Sequence, residues 1–162
     1  MLLSTYCDMI LSVKLGFRGG KEAISKPLYI FCIIKAIDMN VLKENKIEYD
    51  NIFIHALFGA LYCRYNGIDE KKFLTPAFYI RPFYHLGSSS FYHLIWKDKV
   101  CPPLKSNTPS AKYLKENLLY AKLDDDLWTL LQKVENREYI KTKIKERFKP
   151  IADLWQQDTM TS

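Results

Sequence analysis

The chain is poor in the residues that announce chemistry. Of its 162 residues only 3 are His, 4 are Cys and 6 are Gly. Cys7, Cys32, Cys63 and Cys101 stand far apart with no CxxC pair, so neither a zinc site nor a disulfide framework is expected. Gly16, Gly19 and Gly20 lack the spacing of a phosphate-binding loop and read instead as a flexible basic loop with Arg18 and Lys21. No uncharged stretch reaches the roughly 18 residues of a membrane span. Met1 to Leu15 carries Asp8 and Lys14 and lacks the basic head of a secretory signal. A soluble, cytoplasmic chain with no membrane contact is the expectation.

Nucleophilic catalysis has no signature either, since no Cys–His or Ser–His arrangement stands out. Two nuclease patterns fail on inspection. For an HNH centre His93 and Asn107 are the nearest candidates, but Pro102-Pro103 separates them and no histidine follows the would-be helix. Asp50 with Glu70-Lys71-Lys72 meets the carboxylate pattern only formally, because Asp50 reads as a helix cap and Glu70 as loop. No catalytic residue, cofactor or metal is expected, and by elimination the chain reads as a binding domain.

What is there is apolar and aromatic. Hydrophobic residues make up 48% of the chain, with Phe 9, Tyr 11 and Trp 3, which excludes disorder and is enough for a sizeable core. Lys+Arg number 24 against 18 Asp+Glu, a net charge of +6 that permits nucleic-acid binding without establishing it. Residues 133–149 hold seven basic residues (Lys133, Arg137, Lys141, Lys143, Lys145, Arg147, Lys149) against Glu135, Glu138 and Glu146, leaving +4 there. A solvated helix face is the ordinary reading of such a run.

Helical spacing of Leu2, Leu3, Tyr6, Ile10 and Val13 predicts a first amphipathic helix. From Leu28 to Met39 nearly every residue is apolar, the pattern of a buried central helix, about 26–40, with Ser25 as its cap. Asp50 is expected to cap a third helix closed by Asn66-Gly67. Phe-Tyr-His-Leu occurs twice, at Phe83–Leu86 and Phe91–Leu94, across Gly87-Ser88-Ser89-Ser90, which predicts a β-hairpin at about 78–96. His85 and His93 would then face each other and could hold a metal or a phosphate. Ser110 opens a helix to about Asn117, Asp124 and Asn136 are expected caps of two more, and Ile151–Ser162 reads as a frayed tail. The fold class is α+β, mostly α: a helical bundle carrying one hairpin, as a single domain over 1–150 with a tail at 151–162.

Several segments in order carry a family resemblance. They are Lys26-Pro27-Leu28-Tyr29-Ile30-Phe31, Tyr49-Asp50, Arg81-Pro82-Phe83-Tyr84-His85-Leu86 with Phe91-Tyr92-His93-Leu94, Pro109 to Asn117, Leu123 to Trp128, and Glu135-Asn136-Arg137. Over about residues 20–149 the chain resembles the N-terminal domain of HNH-type restriction endonucleases. That family is similar to the sulfur-binding domain that recognises phosphorothioate-modified DNA. The resemblance implies a DNA-binding recognition domain, with the segment Arg81-Pro82-Phe83 at the apolar sulfur contact and Lys26 and Lys112 on neighbouring phosphates. It also implies a modified duplex as a target and a separate nuclease subunit as a partner, since no nuclease motif is found here. With His85 and His93 added from the hairpin, the expected DNA-binding set is Lys26, Arg81, Pro82, Phe83, His85, His93 and Lys112. A protein-interaction or structural domain without DNA affinity is the alternative, and a metal-dependent nuclease on the two histidines the third reading.

Overall fold

Ten buried residues make one helix the axis of the molecule. In α2 (Ser25–Asp38) Pro27 to Ile34, with Ala36 and Ile37, are all buried, and a helix apolar on every side has to be wrapped by others. The computed structural model describes residues 2–18, 21–69, 71, 77–98 and 108–161, the side chains of 17–18, 21–22, 77–78 and 157–161 excepted. Within it α2 packs against α1 (Leu3–Leu11), α3 (Ile52–Asn66), α4 (Ala77–His85) and α7 (Val134–Arg147). Tyr29, in the middle of α2, sits edge-on to Phe58 of α3 and Phe83 of α4, at ring distances of 5.6 and 6.3 Å. The fold is α+β and mostly α, a bundle around a buried central helix.

The β structure is sparse. Strands β1 (Gly16–Arg18) and β2 (Lys21–Ala23) pair antiparallel, with Arg18 opposite Lys21, and lead into α2. Strand β3 (Tyr92–Trp96) pairs antiparallel with β4 (Leu118–Leu123), Tyr92 opposite Leu123 and Ile95 opposite Tyr120. Ile47 exchanges both backbone hydrogen bonds with Ala121, at 2.7 and 2.8 Å, on the other edge of β4. Helix α5 (Ala111–Asn117) runs straight into β4, and α6 (Asp125–Leu130) follows it.

The hairpin expected at 78–96 is not there. Its first half is α4, in which Ile80, Phe83 and Tyr84 are buried at helical spacing, and Pro82 lies inside the helix. A single 3-10 turn, Leu86–Ser88, then reverses the chain, and the Tyr92 hydroxyl donates to the Phe83 carbonyl at 2.6 Å. That bond serves a carbonyl near the helix end, where intrahelical donors run out. The second half is a strand, but its partner is β4, more than twenty residues further on.

The frayed tail is also replaced. Helix α8 (Lys149–Thr161) buries Ile151 and Leu154 and sets Trp155 edge-on to Phe31 at 5.6 Å. Capping differs in detail. Asn51, not Asp50, caps α3 by accepting from Ile54 N at 2.9 Å, and Gly67 closes it at φ 65°, where only glycine is unstrained. Ile24 rather than Ser25 precedes α2, and Lys133 rather than Asn136 precedes α7, whose Asn136 donates to the Leu130 carbonyl. Ser110 does cap α5, accepting from Tyr113 N at 3.1 Å. Gly19-Gly20, Glu70, Lys72, Pro76, Cys101, Pro102-Pro103 and Asn107 lie outside the described residues.

Candidate nucleic-acid interface

Turning residues 77–85 into a helix changes what its polar residues can do. With Ile80, Phe83 and Tyr84 inward, Arg81 and His85 fall four residues apart along the other side, which places them as neighbours. Pro82 and Phe83 go the other way. Both are buried, Phe83 completely, so neither offers its ring to a ligand here.

His85 is held by the segment that enters α5, through a 2.8 Å hydrogen bond between its Nε2 and Thr108 Oγ1. Burial first, then the charges of Lys26 and Arg81, hold its imidazole below the ordinary range, so the three basic groups share one electrostatic neighbourhood. Lys26, in the first turn of α2, is lowered too, by burial and then by Lys14, which precedes β1. Lys14, Lys26, Arg81 and Lys112 make no ion pair among the described residues. Like charges near one another without counter-charges disfavour folding.

Ring contacts connect α4, β3 and α5. Tyr84 meets the His85 ring edge-on at 5.1 Å and Trp96 at 6.4 Å, and Trp96 meets Tyr113 at 6.1 Å. The irregularity in the β3–β4 register falls between Ile95 and Trp96, where a bulge re-aims a side chain. Lys112 is exposed beside Tyr113 on α5. Trp96 and Tyr113 are half-buried, whereas Tyr84 is buried.

His93 belongs to a different neighbourhood. Its Nε2 hydrogen-bonds Asp124 Oδ1, and the Tyr6 hydroxyl donates to Asp124 Oδ2 at 2.9 Å. That carboxylate precedes α6 yet makes no side-chain capping bond, being committed to tying α1 and β3 together. Lys122, opposite His93, pairs with Asp125 at 2.8 Å. His85 and His93 therefore do not form the facing pair that a hairpin implied. His55, the third histidine, is buried, stacked on Tyr79 at 3.6 Å and within 3.3 Å of the Tyr29 hydroxyl. Burial pushes its pKa down to about 3.

Among the described residues no group of three His, Cys, Asp or Glu is placed to hold a metal ion, and Cys7, Cys32 and Cys63 are each buried thiols outside any disulfide. No helix among the described residues is long and apolar enough to cross a membrane. No protein-family model matches the chain, and no curated protein matches it significantly. The functional reading stands on geometry.

Of the seven expected residues, the fold gathers Lys26, Arg81 and His85, keeps Lys112 exposed on the adjoining helix, and separates Pro82, Phe83 and His93 from them. Sequence reasoning missed Lys14, Thr108, Tyr84, Trp96 and Tyr113. The i, i+4 spacing of Arg81 and His85 was the available signal, visible only if the segment is read with a helical period.

Proposed function

We propose that this chain is a DNA-recognition domain of restriction-endonuclease type, without a nuclease centre of its own. The observation that carries the reading is Arg81 and His85 side by side on α4, with Lys26 acting on His85 and Lys14 on Lys26, Lys112 exposed on α5, and the half-buried rings of Trp96 and Tyr113 in contact with each other. Guanidinium and ammonium groups hold phosphates, and flat rings meet sugar or base. The family resemblance points the same way and makes a separate nuclease subunit the fitting partner. It also implies phosphorothioate recognition. An apolar sulfur contact needs an exposed proline or aromatic ring, however, and Pro82 and Phe83 are buried. Backbone phosphate is therefore the ligand the surface suits best.

A fluorescence-anisotropy titration of plain and phosphorothioate duplexes at two salt concentrations tests this. Engaging about four phosphates should weaken binding roughly a hundredfold between 50 and 200 mM salt. Plain and modified duplexes should bind alike. No binding at the lower salt with either duplex would sink the DNA reading in favour of a protein-interaction domain, while a clear preference for the modified duplex would restore sulfur recognition.

A further inference from the structure

Resting on that reading, we propose that His85 couples DNA binding to protonation: it takes up one proton from solvent as a backbone phosphate settles between Lys26 and Arg81, and the face grips DNA more tightly as the solution becomes more acidic. Three observations converge on this residue. Its ring is anchored rather than free, because Thr108 holds Nε2 at 2.8 Å. A hydroxyl both donates and accepts, so Thr108 suits the neutral ring and the imidazolium equally. Nδ1 has no hydrogen-bond partner among the described residues and is the nitrogen left to donate to a phosphate oxygen.

The surroundings set the direction of the coupling. From α2 comes Lys26 and from its own helix Arg81, both positive; the Tyr84 ring meets the imidazole edge-on, and Thr108, before α5, contributes its hydroxyl. No carboxylate acts on the ring among the described groups. In the free protein burial first, and then repulsion by the two neighbouring positive charges, disfavours the imidazolium. A phosphodiester brings the missing negative charge, reverses that repulsion and favours the imidazolium. Linkage requires the converse: whatever the phosphate does for the proton, the proton does for the phosphate. His55 and His93 cannot substitute, since one is buried against Tyr79 and the other is committed to Asp124.

The test is an anisotropy titration of a short labelled, unmodified DNA duplex from about pH 6 to about pH 8.5, where histidine titrates, at constant salt. It compares the full chain with His85→Gln and His85→Lys. Wild-type affinity should weaken with rising pH, by up to about tenfold per unit inside the coupling window. His85→Gln should bind weakly with a flat profile, and His85→Lys tightly with a flat profile. An NMR titration of the wild-type imidazoles, independent of any variant's folding, should show the His85 midpoint rise when duplex is added. Binding with an unmoved His85 midpoint, or a wild-type slope that His85→Gln keeps, overturns the proton coupling and leaves the DNA reading intact. Absence of duplex binding throughout the range overturns both.

Discussion

Two regions of this molecule are rich in lysine and arginine, and they spend that charge in opposite ways. On α7, Arg137, Lys141 and Lys143 are paired. Arg137 Nε donates to Asp38 Oδ1 at 2.6 Å and Lys141 bonds Asp38 Oδ2, with Lys35 at 3.7 Å and Glu138 on Lys141 at 2.8 Å. Lys143 meets Glu146 at 3.6 Å, and Arg147 lies over the Phe148 ring at 4.8 Å. Around α2 and α4, Lys14, Lys26, Arg81 and Lys112 have no carboxylate partner among the described residues. A tally of charge by sequence window favours the first region; available charge favours the second. Net charge is a poor guide to a binding face when its largest cluster helps to join two helices of the core.

The largest effect should come from dismantling the paired region. Asp38→Ala strands Arg137 and Lys141 in a largely buried setting, and losing one partner of such a group costs about 3–5 kcal/mol. Chemical denaturation should show that loss, while DNA affinity of the folded protein stays unchanged. If Asp38→Ala instead weakened DNA binding and spared stability, the two regions would have been assigned the wrong way round.

Acid should sharpen the comparison next. Folded His55 resists protonation down to about 3, whereas the unfolded chain takes up that proton near the ordinary 6.5. Between those values unfolding is favoured by about 1.4 kcal/mol per pH unit, and above 6.5 the term is flat. Asp38 responds at the acid end. Burial acts to raise its carboxyl, but hydrogen bonds from Lys141 and Arg137 and the charge of Lys35 outweigh it and hold the carboxyl below its usual range. The stability it contributes is present above the ordinary carboxylate range and lost as pH falls through that depressed value. Thermal melts from about pH 8 to about pH 4 should decline below about 6.5. His55→Phe should remove most of that slope if the variant folds, and wild-type melts without any decline would contradict the buried neutral histidine.

The smallest effects separate the two regions on DNA itself. Lys26→Ala with Arg81→Ala should lower duplex affinity by about 10-fold to 100-fold with the melting temperature unchanged or slightly raised, since like charges are removed. Lys145→Ala with Arg147→Ala on α7 should change affinity less than about threefold and stability by under about 0.5 kcal/mol. Equal losses from the two doubles would mean that diffuse charge, not a built face, binds the duplex.

How much of this was legible beforehand depends on the range of the interaction concerned. The central helix, expected at about 26–40, spans Ser25–Asp38, because an unbroken apolar run needs no partner to declare itself. Ser110 and Gly67 mark helix ends where expected, since caps act within three or four residues. The segment from Phe78 to Leu86 misled because Phe-Tyr-His-Leu, twice over, satisfies the period of a strand and that of a helix about equally well. Lys26, Arg81 and Lys112 were named from an ordered resemblance, but nothing local brought Lys26 to His85 or tied Thr108 to it.

By itself the sequence determined the composition of the core, the central helix, the mostly helical class and several helix ends, all of them consequences of local propensity and hydrophobic period. Only the tertiary structure decided that β3 pairs with β4, that Asp38 pairs with Arg137 and Lys141 of α7, and that His85 lies within electrostatic reach of Lys26 as well as Arg81. Those outcomes depend on which distant surfaces bury one another, a choice set by the packing of the whole chain and not by any window within it.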